Sequence, residues 1–112
     1  MQRLTLVPRL MPAVRRGEKT STIRWQEGVI VPGLLRLENR QDAADAVTVW
    51  VTHVETLRLS EVAARLGKAA EWPDAWLLAG MREHYPAICL SSEVQLIHHL
   101  TPAQTEAKRA GR

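Results

Sequence analysis

Apolar and polar side chains alternate over residues 3–7, a period-two pattern that predicts a short strand, and Pro8 then removes the backbone donor that a longer ladder would need. Residues 10–16 are apolar on one side and basic at their end. With Pro12 placed for a first turn they predict a short helix, and Gly17 follows as the left-handed residue past its end. Lys19 to Ser21 then forms the turn into a strand over residues 22–25. Alternate side chains of an extended segment share a face, so Thr22 and Arg24 point one way and Ile23 and Trp25 the other. The expectation is that the apolar pair meets the core and the polar pair meets solvent or a cleft. Pro32-Gly33 reads as a turn, residues 34–38 as a strand and the polar run 39–45 as a loop. Residues 46–58 are the longest β candidate, with Val47, Val49 and Val51 on one face and a slip in the alternation near His53-Val54 that predicts a bulge.

The pattern then changes period. Ser60 is placed to cap a helix over 61–66 that Gly67 stops, and a second helix starts near Trp72 with Pro73 and Asp74 in its first turn. Leu77, Leu78, Met81 and Tyr85 recur at helical spacing as its buried stripe, and Pro86 ends it. Residues 88–98 predict a strand with Ile88, Leu90, Val94 and Leu96 on one parity, and residues 101–112 predict a flexible basic tail. Short connections between many short strands favour antiparallel neighbours. The order therefore predicts an α+β class: a small mixed, mainly antiparallel β-barrel with short helices over one opening, as one domain across residues 1–100.

Composition narrows the class. A chain of 112 residues with 46% hydrophobic and 24% charged residues has one domain's worth of core. A lone cysteine, Cys89, excludes an internal disulfide and a cysteine zinc site, and we expect a packed thiol there. No apolar run reaches membrane-spanning length and no signal-peptide pattern opens the chain, so a cytoplasmic location is expected. The net charge of +3 is unevenly spread: residues 1–40 carry eight Arg/Lys against three Asp/Glu, whereas residues 41–100 carry four against eight. A basic first third suits anionic or nucleic-acid partners as well as a solvated surface.

The densest chemistry lies between Arg15 and Arg24, where a glycine turn presents Lys19, the hydroxyls of Thr20, Ser21 and Thr22, and an arginine. The spacing of a P-loop is absent, because only Gly17 precedes the lysine. On these residues alone the stretch is either an anion or carbonyl site or a solvated turn. Trp25 is expected in the core, and Trp72 and Trp76, one helical turn apart, are candidates for stacking on a flat base or for core. His98 and His99 point to opposite faces of a strand and His53 and His84 stand apart in sequence, so no metal or other cofactor is expected.

The pattern Gly17-x-Lys19-x-x-Thr22-x-Arg24 resembles the signature of ASCH domains, small barrels related to the PUA fold, and the likeness extends to Arg9, Glu71 and the pair Tyr85-Pro86. Within that family the chain is most similar to compact members that hydrolyse N4-acetylcytidine. The resemblance implies a metal-independent amide hydrolase in which Lys19, Thr22 and Glu71 are catalytic, Glu71 matching with a one-residue gap and Glu61 its substitute. On this reading Arg24, Arg9 and Ser21 are expected to bind the nucleoside, with Trp72 and Trp76 as the stacking candidates. In this chemistry Thr22 attacks the acetyl carbonyl, a neutral Lys19 takes the hydroxyl proton with Arg15, Arg16 and Arg24 lowering its affinity for it, and Glu71, kept protonated beside Trp72, protonates the leaving amine. Two other classes stay open: an RNA-binding PUA-like module, with or without ribonuclease activity, and a non-catalytic ligand-binding domain.

Overall fold

Residues 1–111 are described in the computed structural model of the chain. Among them the strands are β1 (Gln2–Leu6), β2 (Ser21–Arg24), β3 (Gly33–Asn39), β4 (Asp42–Arg58) and β5 (Glu93–His99), and the α-helices are α1 (Met11–Arg15), α2 (Leu59–Arg65), α3 (Asp74–Arg82) and α4 (Pro102–Ala110), with a 3-10 turn at Pro8–Leu10. The class is α+β, as the pattern predicts. The strands form a mixed sheet in the order β1-β3-β4-β5-β2. β1 runs parallel to β3, from Gln2 opposite Leu35 to Leu6 opposite Asn39. β3 runs antiparallel to β4, from Gly33 opposite Val51 to Glu38 opposite Ala46, with a register shift at Glu38/Asn39. No described helix is long and apolar enough to cross a membrane.

The chain forms two compact units, and β2, β4 and β5 each pass from one into the other. The first comprises Met1–Thr22, Val29–Val54 and the chain from Ile97 onward. Its core takes Leu4 and Leu6 from β1, Met11 and Val14 from α1, Leu35 and Leu37 from β3, Val49 and Val51 from β4, and Ile97 from β5. These are the inward positions of period-two strands and one turn of helix, each contributing about 1.5–3 kcal/mol of apolar burial. The second unit comprises Ile23–Gly28 and Glu55–Leu96, where Leu59, Val62, Leu77, Met81, Ile88, Val94 and Leu96 pack together.

Four expectations are corrected. The polar run 39–45 is not a loop: it closes a hairpin at Arg40-Gln41, because Asn39 Oδ1 accepts from the Gln41 amide at 2.8 Å and Asp42 Oδ1 from the Ala44 amide at 3.0 Å. The strand predicted from residue 88 begins at Glu93, with Ile88 buried in the loop before it. Ser60 is not the cap of α2, which starts at Leu59, two residues earlier than predicted, with Arg58 at the cap position and Glu61 accepting from its amide. The tail predicted as flexible is α4. Thr101 Oγ1 accepts from the Gln104 amide at 3.1 Å while Gln104 Oε1 accepts from the Thr101 amide at 3.0 Å, a reciprocal cap with Pro102 in the first turn. Thr105 then docks the helix, its fully buried Oγ1 accepting from the Trp50 amide at 2.9 Å.

Candidate functional site

The first unit positions its chemistry through one turn. Helix α1 ends in a double hydrogen bond, the Gly17 amide to the Val14 carbonyl at 3.0 Å and the Glu18 amide to the Ala13 carbonyl at 2.9 Å. Gly17 adopts φ +78°, the left-handed conformation this closure requires. A Cβ there would also stand 3.0 Å from the Thr101 methyl, so the position needs glycine on two counts. The chain leaves the turn extended, and the His99 amide donates to the Thr20 carbonyl at 2.9 Å, fixing the segment against the end of β5.

On this frame Lys19 is half-buried and its Nζ donates to the Ser21 carbonyl. Thr22, in β2, is buried, at 6% exposure. His99 belongs to the same unit and is 5% exposed. Its Nδ1 lies 2.8 Å from the Leu100 carbonyl, which can only accept, so Nδ1 carries the proton and Nε2 holds the lone pair. That Nε2 is buried and has no hydrogen-bond partner among the described residues. Burial first, then the positive charges of Lys19 and His98, hold the imidazole below its ordinary pKa against the opposing bond to Leu100. His99 is therefore a neutral base at neutral pH, within electrostatic range of Lys19.

In the second unit Arg24 is buried, at 7% exposure, and its Nη1 lies 3.5 Å from Glu27 Oε2. The Tyr85 hydroxyl donates to the same carboxylate, and its ring meets Trp25 edge-on at 6.0 Å. Burial and the Glu27 carboxylate push the Tyr85 phenol above its ordinary pKa. Trp72 and Trp76 stack with centroids 6.0 Å apart, Lys68 Nζ sits 5.4 Å from the Trp72 ring centroid, and Trp76 is 59% exposed.

The structure thus groups Lys19 with Ser21 and His99, Arg24 with Glu27 and Tyr85, Glu71 with Lys68, and Trp72 with Trp76. Arg9 lies exposed on the Pro8–Leu10 turn. Several expected environments differ. Glu71 has an exposed side chain 3.8 Å from Lys68 rather than an apolar setting, and its substitute Glu61 serves the start of α2. Arg15 pairs with Asp45 and Arg16 with Glu18, so carboxylates offset the cations expected to act on Lys19. Thr22 and Arg24 are the buried pair of β2, while Ile23 and Trp25 are half-buried against the second core, because both faces of this short strand are covered. Cys89 is exposed, its thiol 3.8 Å from the Ala87 carbonyl. His53 is not isolated: its ring stacks on His98 at 4.0 Å and 7°, with a nitrogen of each within 4.8 Å, two donors of the kind transition metals take. Sequence reasoning missed His99 and Glu27 as partners in these clusters. Parity along β5 places His99 beside Ile97 on a core-facing row and was the signal available for it; Glu27, in a short polar loop, offered none.

No protein-family model and no curated protein sequence matches the chain. Its fold is of the ASCH type. It is shared with crystal structures of ZmASCH from Zymomonas mobilis, in a Ser-to-Ala and a Tyr-to-Phe mutant, each at TM-score 0.66 and 11% identity, covering 89% of this chain and 67% and 68% of theirs. At that identity the likeness is one of fold, and function rests on the site.

Proposed function

We propose that the chain is an amidohydrolase that removes the acetyl group from N4-acetylcytidine or a related cytosine derivative. The observation that carries this reading is the Gly17 turn, which delivers Lys19 and the buried Thr22 from one rigid closure in the order Gly-x-Lys-x-x-Thr-x-Arg. Thr22 Oγ adds to the acetyl carbonyl as its proton passes to Lys19, once that amine has given up its own proton to solvent. The carbonyl electron pair moves to oxygen, where backbone amides of the turn stabilise it. Collapse expels the cytosine N4, which takes the proton that Lys19 accepted from Thr22, and water then cleaves the acetyl-threonine ester, its proton returning to the Thr22 oxygen. Lys19→Ala and Thr22→Val should each lower kcat/KM by at least 100-fold. Near wild-type turnover in either refutes the assignment.

A second reading, binding of single-stranded RNA, is supported by the exposed Trp76 stacked on Trp72 with Lys68 beside it. Salt separates the two. Phosphate-driven binding weakens steeply between 50 and 200 mM salt, roughly as the number of phosphates contacted, whereas affinity for an uncharged nucleoside stays nearly flat.

A further inference from the structure

A buried acceptor without a donor is costly to a fold and marks a place where a donor arrives from outside the chain. His99 Nε2 is such an atom, on a ring whose orientation is set by Leu100 and whose backbone is tied to Thr20, one residue from Lys19. Lys19 supplies the complementary donor, an Nζ held in the same unit by the Ser21 carbonyl. We infer that His99 Nε2 is a ligand-recognition atom: it accepts from the N–H of a secondary amide whose carbonyl is engaged by Lys19. The ligand class taken at this segment is then an acylated amine that retains its N–H, and tertiary amides are rejected. The low proton affinity of the imidazole fits this role, since a protonated ring has no acceptor to offer. This inference rests on the amidohydrolase reading for the choice of nucleoside, and it is separable from it because binding can be read without turnover.

The test is calorimetric binding of N4-acetylcytidine and its N4-methyl analogue, which lacks the N–H, to Thr22→Val protein so that no substrate is consumed. The Thr22→Val protein should prefer the secondary amide about tenfold or more. His99→Asn, made in that background, keeps a donor for Leu100 and removes the Nε2 acceptor, so it should bind both amides equally; His99→Gln, which restores an acceptor near the Nε2 position, should recover part of the preference. Should His99→Asn fold poorly, the imidazole nitrogen resonances of protein with His99 intact give the same reading, with Nε2 shifting when the secondary amide is added and staying still with the tertiary one. A preference that survives in His99→Asn, or an Nε2 resonance unmoved by saturating secondary amide, overturns the inference even if the protein hydrolyses N4-acetylcytidine. Binding of neither amide overturns both readings.

Discussion

Single residues carry most of the chemistry, and two of them make opposite demands on stability. Gly17 is favoured by its backbone: φ +78° strains any L side chain, and a Cβ there would stand 3.0 Å from the Thr101 methyl, which would have to give way. Gly17→Ala should destabilise the protein by about 1–2 kcal/mol, read as a lower urea midpoint with unchanged slope. His99 acts through its proton. Its folded-state pKa is depressed, so the unfolded chain binds the proton more readily. Stability from this group is complete above about pH 6.5, and is lost as pH falls below that value toward the lower folded pKa. Urea midpoints between pH 5 and 7.5 should fall on the acid side in wild type and flatten in His99→Asn. The contrast also explains what could be read from sequence. A glycine past a helix end and a lysine two residues on are local signals, whereas the environment of His99 depends on Thr20 and Lys19, which are distant from it in sequence.

At the scale of elements, period and capping chemistry account for most of what forms. The β1, β2 and β3 patterns were legible within a residue or two because their apolar positions are set off in sequence by Pro8, the Gly17 turn and Pro32-Gly33. The hairpin at Arg40-Gln41 was not, since polar side chains that usually mark a loop here bond their own backbone and close a two-residue turn. Helix α4 carried its signature openly in Thr101-Pro102-x-Gln104, and what the sequence could not show is that Thr105 meets the Trp50 amide. Thr105→Val keeps the shape and removes that acceptor, and thermal denaturation should show a loss of about 1–3 kcal/mol. On α3, Trp76 is exposed and its ring stacks on Trp72, so Trp76→Ala should change stability by no more than about 0.5 kcal/mol. If the pair is a stacking platform, the same substitution weakens nucleoside or RNA binding by about 1–3 kcal/mol.

For the whole molecule, the α+β class and the ASCH-type architecture followed from element order and from a four-residue signature, and the shared fold with the ZmASCH structures agrees with both. The environments did not follow. Arg15 and Arg16, read as free cations, are matched with Asp45 and Glu18, and Glu71, read as apolar, lies in the open beside Lys68. Charge placement depends on which carboxylates the fold brings up, and a sequence carries little of that information. The central claim is that the Gly17 turn presents an amide-cleaving site. Its most direct test is incubation of the purified protein with N4-acetylcytidine, following cytidine release by chromatography beside Lys19→Ala. The account predicts stoichiometric cytidine and acetate from wild type and at least a 100-fold slower release from the variant. No cytidine from folded wild-type protein, or equal release from Lys19→Ala, would contradict it.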